Sequence, residues 1–292
     1  MSNKIIFGLM MVITLVTVRP ADAKEAIVFS RQTDGYWQIW TMDPDGSHQR
    51  VVTSSKIDKR DPVWIQSGKG IAFRTNNGEL FTVGLNGDKE KEILTNFKSI
   101  NNPHYCETTG EVVFVRFDPR TQDASNIWKT DLDGKKAVVL TRDSMLKYQP
   151  AFSVDGAKVA FVRADPKTLA HHIWLIDADG SHPRQLTHKT GFSTLPSFSP
   201  DGKRVTFTSN YQDGNYEIYI LNVENLQITR VTHYPGLDTH SRFSRDGQKL
   251  VFVSDRGGNQ QVWVMDIDGK NAKQLTSGTE ESINPSWGEI RE

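Results

Sequence analysis

Four segments of this 292-residue chain carry acidic residues at the spacing with which a calcium loop begins: Asp43 and Asp45, Asp131 and Asp133, Asp177 and Asp179, Asp266 and Asp268. A calcium loop needs a third oxygen ligand at the next alternate position and a distal glutamate. These segments lack both, and each second aspartate precedes a glycine, so they read as tight turns for which Asp-Gly supplies positive φ angles. Histidine offers zinc or manganese chemistry. His188, His233 and His240 lie in connecting segments, and His171 and His172 are adjacent. His188 and His233 fall just past a strand end, however, and His48 and His182 hold matching places after Asp-Gly-Ser, which is the mark of a repeat. No metal or other cofactor is assigned on these grounds. Cys106 aligns with Ser153 and Ser199 and reads as a small packed residue. No G-x-S-x-G elbow occurs, so no catalytic residue is assigned and a non-enzyme is expected.

The elements that must position these residues repeat six times. Short apolar runs end on Phe29, Phe73, Phe114, Phe161, Phe207 and Phe252, spaced 44, 41, 47, 46 and 45 residues apart. A second series follows at Ile39-Trp40, Leu80-Phe81, Ile127-Trp128, Ile173-Trp174, Ile218-Tyr219 and Val262-Trp263. A third closes each unit with an apolar residue and a threonine: Thr53, Thr95, Thr141, Thr187, Thr232 and Thr276. β-Branched and aromatic runs bounded by Gly, Asp and Asn are strands, and no helical period competes. Each unit of about 45 residues is a four-stranded antiparallel meander, the size of one propeller blade. The tryptophans follow strand spacing and are expected between blades.

An inner strand is expected to begin at Pro62, Pro103, Pro150, Pro196, Ser241 and Pro285, since proline breaks no ladder bond as the first residue of a strand. The repeat's phase also closes the ring. The first blade takes three strands from the N-terminal side and its innermost strand from Asn284 to Trp287, leaving no free edge between blades. The fold class is therefore all-β, a six-bladed β-propeller.

The segments leading into the inner strands converge on the propeller axis, where loops on a rigid scaffold carry function. Their residues are Arg60-Asp61, Asn101-Asn102, Tyr148-Gln149, Thr194-Leu195, Thr239-His240 and Ile283-Asn284, with Asp238 just before one pair. They form a rim of mixed hydrogen-bonding groups at a channel mouth, suited to a peptide or a polar ligand. A plainer role for the same side chains is to satisfy loop backbone groups and channel water.

Residues 1–23 read as a secretory signal: Lys4, the apolar run Ile5 to Val18, Pro20, and the small-x-small site Ala21-Asp22-Ala23. Residues 24–292 then form one propeller domain, periplasmic or secreted, with no membrane insertion after cleavage. With one cysteine, no intrachain disulfide forms. The 35 basic and 35 acidic residues balance, which argues against nucleic acid as a partner.

The unit P-x-[aromatic]-S-x-D-G-x-x-[apolar]-x-F, then I-[W/Y], D-G and L-T, resembles the propeller repeat of the TolB family. It is closest in Pro150 to Thr187 and Pro196 to Thr232. Two units depart from it, with Ile65-Gln66-Ser67-Gly68 and Cys106 to Gly110 in place of the S-x-D-G turn. The resemblance implies a periplasmic binding module that engages a protein or peptide at the mouth, with an envelope lipoprotein as a partner in a Tol–Pal-like setting. TolB's α/β domain has no room before the first blade here, so its contacts do not carry over. The alternative is a metal-dependent carbohydrate lyase or lactonase-type enzyme, its metal held on the axis by Asp61, Asp238 and His240.

Overall fold

The computed structural model describes residues 23–117 and 125–291. The expected signal segment, apart from Ala23, lies outside them. The described residues form six four-stranded antiparallel sheets. Blade I consists of Ala23–Thr33, Tyr36–Met42 and Arg50–Val51, with Ser282–Arg291 as its inner strand. The inner strands of blades II to VI are Lys59–Ile65, Ile100–Cys106, Lys147–Phe152, Ser193–Phe198 and Asp238–Phe243. Blade I is thus closed by both ends of the described chain, Ala26 pairing with Gly288 and Ile27 with Trp287.

The core lies between blades. Six apolar clusters each join two neighbours: Val162 and Ile173 of blade IV meet Phe207 and Tyr219 of blade V, and Phe29 of blade I meets Val251 and Val262 of blade VI. Trp40, Trp128, Trp174 and Trp263 pack on the margins of such clusters, as their spacing requires. The Asp-x-Asp-Gly segments are hairpin turns; Gly46 and Gly180 have φ of 91° and 90°. Asp45 Oδ1 and Asp179 Oδ1 each accept the N–H and hydroxyl of the serine two residues on.

The inner strands start three residues earlier than the prolines suggest, and each contains a bulge. In blade II, Arg60 pairs with Arg74 and Val63 with Ala72, so Asp61 and Pro62 together face Phe73. The same slip sets Asn102-Pro103 against Phe114, Gln149-Pro150 against Phe161, Leu195-Pro196 against Phe207, His240-Ser241 against Phe252 and Asn284-Pro285 against Phe29. A bulge leaves one residue unpaired. Proline suits that place because it has no N–H to orphan. The phenylalanine series and the proline series are therefore the two sides of one feature.

The closing threonines also have a specific task. Thr53, Thr141, Thr187, Thr232 and Thr276 are buried, and each Oγ1 accepts the N–H of the third-strand residue Ile39, Ile127, Ile173, Ile218 or Val262 at 2.9–3.0 Å. Thr276 also donates to Gln261 Oε1 at 2.6 Å. Thr95, in the irregular blade II, is exposed. Thr276→Val keeps the shape but orphans a buried N–H, so it should destabilise the protein by about 1–3 kcal/mol. Thr95→Val should stay within about 0.5 kcal/mol. Urea unfolding of the two variants checks the contrast; equal midpoints would remove the role given to these hydroxyls.

Candidate binding site at the mouth of the axial channel

The first residue of each bulge adopts left-handed backbone. Asp61, Asn102, Gln149, Leu195, His240 and Asn284 have φ between 47° and 56°. Aspartate, asparagine and histidine tolerate this region better than most residues, but glutamine and leucine gain nothing from it. Glycine would fit with least strain, yet none of the six is glycine. Each position keeps a side chain, and all six line one axial pocket of about 50 Å³.

Two of these side chains form a girdle across blades. Asn102 Oδ1 accepts the N–H of Gln149 at 3.4 Å, and Gln149 Oε1 accepts the N–H of Leu195 at 2.8 Å. Leu195 has no polar atom to continue it, so the girdle stops there. Beyond the break, His240 Nδ1 is buried without a partner. Asp61 is held from the side, its Oδ2 accepting Arg74 Nε at 2.5 Å. The plainer role expected of the rim thus applies to Asn102 and Gln149. The sector from Leu195 through His240 and Asn284 is left open.

The other expected rim residues sit one position earlier, in ladder register within the inner strands and not in loops. Arg60 stacks on Trp37, 4.3 Å from the ring centroid. Asn101 Nδ2 donates to the carbonyl of Ser99 at 3.1 Å. The Tyr148 hydroxyl bonds His171 Nδ1, and His171 packs edge-on against the exposed Phe192. Thr194 pairs with Thr208 in the ladder. Two residues are withdrawn from the mouth. Thr239 is buried with its Oγ1 3.2 Å from Thr208 Oγ1, and Asp238 is fully buried with Arg256 Nη2 2.5 Å from its Oδ2. Burial raises the pKa of Asp238 despite that arginine.

Sequence reasoning missed the residues beneath the ring. They fall at the position after each proline or its replacement: Val63, His104, Ala151, Ser197, Arg242 and Ser286. Here a histidine and an arginine interrupt small or aliphatic residues. Comparing the six units at that one position would have marked both. Val63, His104, Arg242 and Ser286 line the mouth pocket and also a cavity of about 300 Å³ at the opposite end, walled by Trp64, Tyr105, Phe152, Phe198 and Phe243. His104 Nδ1 accepts the N–H of Phe152 at 3.3 Å. Burial, with Arg242 nearby, lowers the pKa of His104 to about 3. Burial is also the main cause that lowers His240 to about 4; Asp61 opposes it and Arg242 adds to it.

The donor set proposed for an axial metal does not assemble. Asp238 is committed to Arg256 and Asp61 to Arg74, and among the described residues no three His, Cys, Asp or Glu side chains come close enough to share an ion. Among those residues, too, no helix is long and apolar enough to cross a membrane.

The sequence profile of the TolB beta propeller domain matches residues 107–290, from the end of the inner strand of blade III through the closing strand. The unmatched part includes blade II, whose turn is irregular. No curated protein sequence matches the chain. Among solved structures, TolB from Acinetobacter baumannii is similar with a TM-score of 0.77 and 21% identity, over 90% of this chain and 66% of that one. This chain therefore spans just under two thirds of that protein. A TolB-like protein from Agrobacterium tumefaciens gives 0.73 and 20%, over 93% of this chain and all of the other. An oligogalacturonate lyase in complex with manganese gives 0.62 and 17%, over 85% of this chain and 73% of the lyase. At these identities the likeness is one of fold.

The two histidines make a pH dependence that can be measured. Below the ordinary histidine value of 6.5, the unfolded chain takes up protons that folded His240 and His104 refuse until about pH 4 and 3. Stability is held above pH 6.5 and falls as pH drops through that window, by about 1.4 kcal/mol per pH unit for each withheld proton. His240→Gln, a side chain already tolerated in this backbone at Gln149, should reduce the slope by about one proton. Urea midpoints between neutral and mildly acid pH measure it; an unchanged slope would mean His240 titrates freely in the folded protein.

Proposed function

We propose that this chain, which belongs to the TolB beta propeller domain family, is an exported binding module that holds a protein or peptide segment at the mouth ringed by Asp61, Asn102, Gln149, Leu195, His240 and Asn284. The observation that carries the reading is the ring itself. Six residues hold a strained backbone while keeping side chains, and strain of this kind collects at functional sites. The girdle accounts for Asn102 and Gln149, whereas Leu195, His240 and Asn284 are left facing the pocket without such duty.

The pocket's size agrees with a peptide. At about 50 Å³ it admits one side-chain tip, not a whole drug-sized ligand, whose pockets run to about 300–1,000 Å³. A segment laid across the mouth with one residue inserted satisfies both the small cavity and the surrounding polar rim. The setting that fits is the periplasm or the outside of the cell, with an envelope lipoprotein as the partner, and the signal-like residues 1–23 support that setting. No reaction is assigned, because the proposed axial donors are tied to Arg74 and Arg256.

Leu195→Tyr combined with Asn284→Tyr fills the open sector of the ring at positions that contribute little to the core. The double variant should melt within a few degrees of wild type and lose the proteins that wild type captures by crosslinking in an envelope fraction. Capture of the same proteins in the same amounts would sink the mouth as the binding surface.

A further inference from the structure

We propose that the mouth reads a carboxylate carried by the partner segment, and that Arg242 receives it. The inference rests on the mouth reading above and names the group that enters. Among the described residues, Arg242 forms no ion pair, and its one hydrogen bond is from Nη1 to the carbonyl of Pro196 at 3.3 Å. A guanidinium carries five N–H donors in a planar fork, and Arg242 is half-buried in the channel wall. Asp61, whose field reaches Arg242, gives its carboxylate to Arg74 Nε at 2.5 Å. Most of the Arg242 fork is therefore free in a channel that opens at both ends.

Part of the ring's backbone is closed to an anion. Proline at five of the six unpaired positions removes those backbone donors. The N–H groups of Gln149 and Leu195 are taken by the girdle. Beside Arg242 stands His240, neutral near pH 7, whose buried Nδ1 has no partner. With its proton on Nδ1, His240 donates to one carboxylate oxygen while Arg242 donates to the other. The pocket of about 50 Å³ holds about four water-sized spheres, enough for a carboxylate and its methylene. Leu195, the apolar member of the ring, supplies a surface for that methylene. A planar fork matches a carboxylate in geometry as well as charge.

Glutamate side chains and free chain termini carry the same group, so three blocked or free peptides separate them: Ac-Ala-Glu-Ala-NH2, Ac-Ala-Gln-Ala-NH2 and Ac-Ala-Ala-Ala with a free carboxylate. Titrations would follow the side-chain NMR signals of Arg242 and His240. At least one carboxylate peptide should bind about tenfold or more tightly than the glutamine peptide, as loss of a charged hydrogen bond predicts. Which one gains identifies the source. Arg242→Met should abolish the preference, and Arg242→Lys, which keeps the charge without the fork, should retain part of it. Equal binding of all three peptides, binding by none, or a preference that survives in Arg242→Met would overturn the proposal. If Arg242→Met does not fold, the Arg242→Lys titration decides alone: an undiminished preference rejects the fork. The capture comparison with the Leu195 and Asn284 variant is independent of Arg242, so the mouth reading can survive the loss of this one.

Discussion

Six times around the ring, two residues of an inner strand stand opposite one phenylalanine of the next strand, and most of what matters in this protein depends on that constraint. The extra residue bends the strand and forces the first of the pair into left-handed backbone. The second has no ladder partner, which is why proline recurs there. The phenylalanine on the other strand is fully or almost fully buried in every blade and anchors the interface to a neighbour. One local irregularity thus fixes the inner strand, aims a side chain at the axis and ties both to the core between blades.

Much of this was legible because each repeated residue answers a chemical need. Asp-Gly turns, aromatic strand ends and closing threonines recur at constant spacing, and from them follow six blades and a ring closed by both ends of the described chain. The purpose of the threonines was less legible. Their hydroxyls replace a ladder partner for a third-strand N–H, a role visible only once the strands are paired. The place of the prolines is ambiguous in sequence for a similar reason. X-Pro suits a strand start and a bulge equally well, and only the register, Arg60 with Arg74 and then Val63 with Ala72, separates the two. Asp238 and Thr239 read as mouth residues if the strand starts at Ser241; it starts at Asp238, which buries both.

The repeat also concealed the most informative residues. A periodic reading rewards what recurs, and His104 and Arg242 each occur once at their position. The scaffold comes from what the blades share, whereas any recognition of a particular ligand must come from where they differ, since a ring of identical side chains cannot orient an asymmetric segment. His104 and Arg242 stand in blades III and VI, across the ring from each other, whereas the ring side chains outside the girdle gather in one sector. The girdle of amide side chains runs from blade III to blade V and ends at Leu195; His240, Arg242 and Asn284 lie beyond it.

Blade VI shows how such a departure is made rigid. Its inner strand alone lacks the proline, so the bulge loses the restriction on φ that a pyrrolidine ring imposes. Three side-chain contacts stand in for it. Ser241 Oγ lies 2.7 Å from Thr206 Oγ1, Thr239 Oγ1 lies 3.2 Å from Thr208 Oγ1, and Asp238 is locked to Arg256. The two threonines belong to the second strand of blade V, so this strand is fastened to its neighbour on both sides of His240. A binding group held this way loses little freedom when its ligand arrives, and preorganisation of that kind raises affinity without adding contacts. The burial of Asp238 and Thr239, which removes them from the mouth, is therefore what holds His240 and Arg242 in place.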